Sequence, residues 1–336
     1  MKTKKIKNRS KKAIRKNCRR PKIGLALGGG GARGLTHIGV LKTLEKNNIK
    51  PDFIAGTSMG AVIGAAYAAG HSPESIEQIA KTTDWREIVN FTVPKSGLIQ
   101  SFKIEEKLKD LTLNKTFEQL KIPFRAVAVN ISKREKVVFH KGDLARAIRA
   151  SIAIPGVFTP VQIGHNLYVD GGLVDPTPYD VVKDMGADII IAVDLYQNLK
   201  TAQAPNLKST SFLKEMKKKF VAQELLHLKN YLTPTRFPLF IIKIFNKIFD
   251  RILYPQKIIK LLSKQNKLPI FKVLSESNDI LINNLAKERL KNASINILIT
   301  PSFNHLTWTD FDKVNSFIKI GERATKKEIR RLKRLI

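Results

Sequence analysis

Cysteine is almost absent: Cys18 is the only one in 336 residues. A lone cysteine excludes an intrachain disulfide and fits a reducing compartment. Nor is there a run of about 18 uninterrupted apolar residues, the length a bilayer-spanning helix needs, so no segment is expected to cross a membrane. Acidic residues are scarce too, with 28 Asp and Glu against 60 Lys and Arg and a net charge of +32. No zinc-type Cys/His spacing, RNP-like aromatic motif or helix-turn-helix pattern accompanies that charge. Nucleic acid therefore ranks below anionic lipid as the expected partner.

The positive charge is gathered in blocks. The opening stretch, Met1 to Lys22, holds twelve Lys or Arg and no acid. Such a block repels itself and is expected to stay disordered until it meets an anionic surface. No apolar stretch of signal-peptide length follows, since "IGLALGGGG" is too short, so no secretory signal is expected. A second block covers residues 200–272, where only Glu215, Glu224 and Asp250 are acidic, and a third is the tail "KKEIRRLKRLI". The expected location is cytoplasmic, extending to peripheral contact with the inner face of the membrane.

Between residues 22 and 200, short β-type runs alternate with helical patterns. "KIGLAL" and "DFIA" read as strands, each followed by glycine and then a helix. "MGAVIGAAYAA" should end at Gly70, and Ser72-Pro73 should open the next helix. "FRAVAVNIS" and "KVVFH" read as a hairpin, "LYVD" and "ADIIIAVDL" as further strands, and "INILITP" as a late addition. Continuous apolar runs such as "IIIAV" predict strands buried on both faces. The expected fold is an α/β, three-layer α/β/α sandwich with a mainly parallel central sheet and a helical C-terminal extension. The expected divisions are a basic arm at 1–21, a catalytic domain at 22–200, a basic amphipathic insertion at 201–272 and a helical segment at 273–336. Within the insertion, "RFPLFIIKIFNKIFDRILYPQKIIKLLSK" spaces its polar residues helically. Two readings stay open for it: a cover for the core, or an interfacial membrane helix.

The stretch "GTSMG" places Ser58 between Gly56 and Gly60 where an apolar strand turns into a small-residue helix. This fits a nucleophile elbow, in which a strained turn exposes the hydroxyl and glycines remove clashes. A tight turn carrying a solvent-facing serine is the plain alternative. Upstream, "GGGGARG" lies between strand and helix, so its amides can converge on an anion. Gly29, Gly31 and Gly34 formally satisfy a dinucleotide fingerprint, with Asp52 at a suitable distance in sequence. Asp52 starts its strand, however, whereas a ribose-binding acid should end one. An oxyanion hole beside a nucleophile explains both glycine clusters, and a nicotinamide site explains one.

The histidines offer no obvious base. His227 lies in the basic insertion, His305 in a loop, His37 on an apolar helix face, and His71, His140 and His165 at expected turns without an acid partner. Asp170 in "LYVDGGLVDPTP" ends a strand and precedes two glycines, so its carboxylate can reach the same sheet edge. A free aspartate, with a pKa of about 3.9, is a weak base, and partial desolvation would strengthen it. The same letters also describe an ordinary strand-end turn.

"GGGGARG", "GTSMG" and "DGG" in this order, with "ASIAIPGVFTPV" and "GADIIIAVDL" around them, resemble the patatin-like phospholipase family, its bacterial members especially. The resemblance runs through residues 22 to about 200 and resumes weakly at "LTWTDFDKVNSFIKIGERA". It implies a Ser-Asp dyad without histidine, with Ser58 as nucleophile and Asp170 as base. Gly29, Gly30, Gly31 and Arg33 fall in the family's oxyanion motif. It further implies acyl-ester hydrolysis of phospholipids or lysophospholipids with no metal and no other cofactor. Asp175 departs from the pattern, where relatives often carry Asn. A non-catalytic lipid- or protein-binding module of the same fold is the alternative function.

Overall fold

The computed structural model describes residues 19–85, 99–155, 157–197 and 269–336. The amphipathic stretch at 236–264 and most of the basic arm lie outside the described residues. The strands are β1 (Ile23–Leu27), β2 (Phe53–Thr57), β3 (Phe124–Asn130), β4 (Glu135–Phe139), β5 (Val161–Ile163), β6 (Asn166–Asp170), β7 (Ile189–Val193) and β8 (Ile297–Ile299). The helices are α1 (Thr36–Lys46), α2 (Met59–Ala69), α3 (Pro73–Thr82), α4 (Ile99–Leu111), α5 (Leu144–Ser151), α6 (Tyr179–Asp184), α7 (Pro269–Lys291) and α8 (Val314–Leu332).

All the described strands join one eight-stranded sheet. Its middle, in the order β3-β2-β1-β7-β8, is parallel throughout. Antiparallel β4, β5 and β6 extend it at one end. The two-residue period of a strand sends alternate side chains to opposite layers. From β1 and β7, Leu25, Leu27, Ile191 and Val193 enter the large core shared with α1, α2 and α8. Ala26, Ile190 and Ala192 face the other way and meet Val181 and Val182 of α6. The middle layer is thus buried on both sides, which is why "IIIAV" shows no alternation.

Local chemistry sets the boundaries. Ser72 accepts a hydrogen bond from the Ser75 N–H at 3.1 Å and Pro73 opens α3; α2 stops at Gly70, whose φ of 116° suits a residue without Cβ. The C-terminal segment belongs to the same body. On α8, Val314, Phe317, Ile318, Gly321, Thr325, Ile329 and Leu332 are buried, a helical stripe laid against α1.

One detail of the sheet positions the site. β3 pairs with β4 along one edge, from Ala126 to Asn130. Its other edge is shared end to end: β2 occupies it up to Thr57↔Val127, and β6 takes over at Asp170↔Ala128. The strand that delivers Ser58 stops where the strand that delivers Asp170 arrives, on consecutive residues of β3. Two side chains 112 positions apart are thereby brought together by register alone.

Candidate active site

Ser58 caps α2 with φ 54° and ψ −125°, a backbone conformation that costs a non-glycine residue about 1–3 kcal/mol. Its neighbours force the bend. A Cβ on Gly60 would lie 2.1 Å from the Leu27 carbonyl oxygen, and one on Gly56 2.5 Å from the Gly60 oxygen. The elbow is therefore wedged against β1, with only glycine admitted on either side. The hydroxyl is not left to solvent: Ser58 is 5 % exposed, and its Oγ donates to Asp170 Oδ2 at 2.6 Å.

Asp170 ends β6 and is itself buried. Its second oxygen, Oδ1, accepts from the Gly172 N–H at 2.7 Å, so both carboxylate oxygens are engaged. The D-G-G sequence is a packing requirement here, since a Cβ on Gly171 would fall 2.3 Å from the Val127 oxygen. Burial pushes the Asp170 carboxyl up to about 6, against the pull of the hydrogen bonds from Ser58 and Gly172. A carboxylate so desolvated is a far better proton acceptor than a free aspartate, and it is still ionised at neutral pH.

The glycine loop lies beside this pair: a Cβ on Gly29 would be 3.2 Å from Ser58 Cβ. Its amides divide into used and unused. Gly29 N–H donates to Pro176 O at 2.9 Å, Ala32 N–H to Trp308 O at 2.8 Å, and Arg33 N–H to Gly30 O at 3.1 Å. The Gly30 and Gly31 N–H groups have no acceptor among the described residues. Met59 and Gly60, at the start of α2, carry further N–H groups with no acceptor inside their helix. Arg33 is buried, pairs with Asp279 of α7 at 3.1 Å, and has no partner for its Nε or Nη1 among the described residues.

From Ser58 an apolar cavity of about 160 Å³ runs between α2, α3 and α4. Leu35, Val62, Ile63, Ile76, Leu108 and Phe158 line it, and the stacked pair Trp85 and Phe311, with ring centres 4.7 Å apart, adds an aromatic wall. A dry apolar cavity near 150 Å³ accepts a benzene-sized guest. The Ser58 hydroxyl, the Asp170 carboxylate, the unused amides and the hydrocarbon pocket thus meet at the carboxyl edge of the parallel strands, where ligands of such sheets bind.

The other sequence candidates take structural places. His37 is fully buried, with Nε2 2.7 Å from the Gly28 oxygen, and burial lowers its pKa to about 4, so it is a neutral brace for the loop. Asp52 sits at the opposite end of its strand, holding Arg20 at 2.6 Å. His71 contacts Ser75, His140 is exposed, and His227 lies outside the described residues. Asp175 does not line the cavity, although its backbone oxygen accepts from the Thr57 hydroxyl at 2.8 Å. It is fully buried between Lys136 and Arg289, each at 3.1 Å, and burial, reinforced by Asp180, pushes its carboxyl up to about 6. Among the described residues no cluster of His, Cys, Asp or Glu has the arrangement of a metal site.

The sequence reading gave no role to Ser151, Trp308 or Asp279, although they bond to Ser58, Ala32 and Arg33 respectively. Ser151 belongs to the run "ASIAIPGVFTPV", quoted for its likeness to a family. Trp308 lies in "LTWTDFDKVNSFIKIGERA", where the resemblance resumes only weakly, and Asp279 in a segment that no motif marks.

Residues 25–183 match the family model described as patatin-like phospholipase. An uncharacterized NTE family protein of Mycobacterium tuberculosis is 42% identical over 178 residues, covering 52% of this chain and 49% of that protein. The Lysophospholipase NTE1 of Debaryomyces hansenii is 34% identical over 179 residues, or 52% of this chain and 12% of its own length. The human patatin-like phospholipase domain-containing protein 6 is 35% identical over 182 residues, again 52% of this chain and 13% of that one. The chain thus spans about half the length of the mycobacterial relative and far less of the others. Among solved structures, VipD from Legionella pneumophila aligns at TM-score 0.44 and 14% identity, covering 93% of this chain and 67% of that one.

Proposed function

Because residues 25–183 place this chain in the patatin-like phospholipase family, we propose that it is a serine lipid acyl hydrolase acting on phospholipid or lysophospholipid esters. The observation that carries this reading is the 2.6 Å hydrogen bond from Ser58 Oγ to the buried Asp170 carboxylate.

In the proposed mechanism Asp170 takes the Ser58 proton as Oγ attacks the ester carbonyl. The carbonyl π electrons move onto oxygen, and the unused amides of Gly30 and Gly31 are placed to stabilise that charge. Each such donor is worth about 3–4 kcal/mol in comparable sites. The Ser58 N–H is not among them, since it is bonded to Ser151. Collapse breaks the bond to the alcohol, which leaves with the proton from Asp170, and the acyl chain stays on Ser58 with its tail in the apolar cavity. Water, deprotonated by Asp170, then attacks the acyl carbonyl, and the fatty acid departs as Ser58 recovers its proton. The positive segments of the chain suit an enzyme working at an anionic bilayer.

The test is fatty-acid release from defined phospholipids and lysophospholipids by the wild type, Ser58→Ala and Asp170→Asn. The expected outcome is turnover by the wild type and a loss of at least about 10³-fold in each variant. Equal release by all three would remove the dyad. Absence of release from every ester, together with no Ser58-dependent fluorophosphonate adduct on folded protein, would instead favour the binding module.

A further inference from the structure

The nucleophile's own backbone N–H does not bond to another backbone group. It donates to Ser151 Oγ at 2.9 Å, and the same hydroxyl donates its proton to Val127 O at 2.6 Å. Ser151 is the last residue of α5 and is fully buried, so no water competes for either bond. The chain Ser58 N–H to Ser151 O–H to Val127 C=O falls where β2 leaves β3, just past their last pairing at Thr57↔Val127. A side-chain hydroxyl is therefore spliced into the ladder at the point where the strand must peel away to admit Asp170, which pairs with the next residue, Ala128.

From this we infer that Ser151 is a positioning residue for the nucleophile: its hydroxyl anchors the positive-φ backbone of Ser58 to the end of β3 and fixes Oγ relative to Asp170. The glycines at 56 and 60 permit the bend but make no directional bond to the Ser58 amide. Ser151 supplies that bond. The same contact occupies the Ser58 N–H, which leaves charge stabilisation to the loop amides and the start of α2. Alanine at 151 would strip partners from two buried groups at once and let the elbow relax, moving Oγ away from its base. A misplacement of about 1 Å at a reacting group can cost on the order of 10²-fold in rate.

The inference rests on the proposed hydrolase reading, so its test carries a readout that needs no turnover. Ser151→Ala, Ser151→Cys and Ser151→Thr are compared with the wild type on a soluble p-nitrophenyl acyl ester. Hydrogen–deuterium exchange of the segment spanning residues 56–61 is followed in parallel, and thermal unfolding checks that each variant is folded. The expected result for Ser151→Ala is a kcat lowered by about 10- to 100-fold with KM within about two-fold, and faster exchange in 56–61. Ser151→Thr, which keeps the hydroxyl, should recover most of both. Ser151→Cys, a weaker hydrogen-bonding group of similar size, should fall between. Folded Ser151→Ala with unchanged kcat and exchange would overturn the inference. So would a folded threonine variant no better than alanine, because bulk rather than the hydroxyl would then matter. If alanine does not fold, a cysteine variant equal to wild type in both readouts overturns it equally. Should the wild type hydrolyse no ester, the hydrolase reading fails, and the exchange rates alone decide the role of Ser151.

Discussion

At the scale of single residues, the site is a trade of stability for basicity. Asp170 is ionised at neutral pH although burial raises its pKa from 3.8 to about 6. The unfolded carboxylate ionises near its ordinary value, so between about pH 4 and 6 the folded state holds a proton that the unfolded state has lost. Stability therefore falls as pH rises through that window, and at pH 7 the ionised carboxylate costs about 3 kcal/mol. Two outcomes follow from this one shift. The rate of ester hydrolysis, kcat/KM, should fall on acidification with an apparent pKa near 6, as the base becomes protonated. Asp170→Asn should be inactive yet melt higher than the wild type at pH 7 to 8, with the difference shrinking toward pH 4. A variant that melts lower across this range would mean that the charged form is not destabilising. Ser58 and Asp170 were legible in the sequence because glycines crowd both, and such crowding has a steric reason in each case. The pKa was not legible, since it depends on the depth of burial, which no spacing encodes. Ser151 was hidden for a similar reason: its role lies in a bond between distant backbone groups.

At the scale of elements, much of the site rests on chain outside the matched residues 25–183. Trp308, in the loop before α8, accepts the Ala32 N–H and closes one side of the glycine loop, while Asp279 of α7 holds Arg33. These supports depend on packing between segments far apart in the chain, which the spacing of residues within each segment does not encode. α1 and α8 cross at glycines: a Cβ on Gly321 would lie 2.1 Å from the Thr36 oxygen, and one on Gly39 2.1 Å from the Ile318 oxygen. Gly321→Ala pits two effects against each other. Helix propensity favours alanine by roughly 0.5–1 kcal/mol. Overpacking against a backbone oxygen, which cannot rotate away, costs about 1–3 kcal/mol or more. The clash should win. Urea unfolding is expected to show a net loss of about 1–2 kcal/mol, with a lower midpoint and an unchanged slope. A midpoint equal to or above that of the wild type would show that the crossing has slack. The mainly parallel centre followed from the alternation of β-type and helical runs; the order of the strands in the sheet did not, since nothing in a run names its neighbour. The shared edge of β3 did not, because a strand that changes partners halfway leaves no mark in its own sequence.

For the whole molecule, the question is where a chain of net charge +32 puts its charge relative to its chemistry. α8 gives a described example. Its apolar stripe is spent on the core, while Lys319, Arg323, Lys326, Lys327, Arg330 and Arg331 are exposed on the outward face. A helix whose apolar side is already buried cannot insert into a bilayer, so on the proposed reading α8 would act on lipid through charge alone. Each basic residue near an anionic leaflet is worth about 1 kcal/mol, and the attraction fades beyond a Debye length, which shrinks from ~10 Å at 0.1 M salt to ~3 Å at 1 M. No described helix is long and apolar enough to cross a membrane, so the described part of the chain offers no anchor of that kind. Charge and catalysis should then separate cleanly by salt. With vesicles of mixed neutral and anionic phospholipid, sedimentation and fatty-acid release are both expected to fall more than about tenfold between 0.05 and 1 M salt. Hydrolysis of a soluble short-chain ester should change by less than about two-fold over the same range, because Ser58, Asp170 and the apolar cavity are sheltered from screening. Replacing the six α8 cations with glutamine should reproduce part of the salt effect on vesicles at low ionic strength while leaving the soluble ester untouched. Vesicle binding indifferent to both salt and lipid charge would contradict the electrostatic account, and would turn attention to apolar insertion by the aromatic-rich stretch at 236–264.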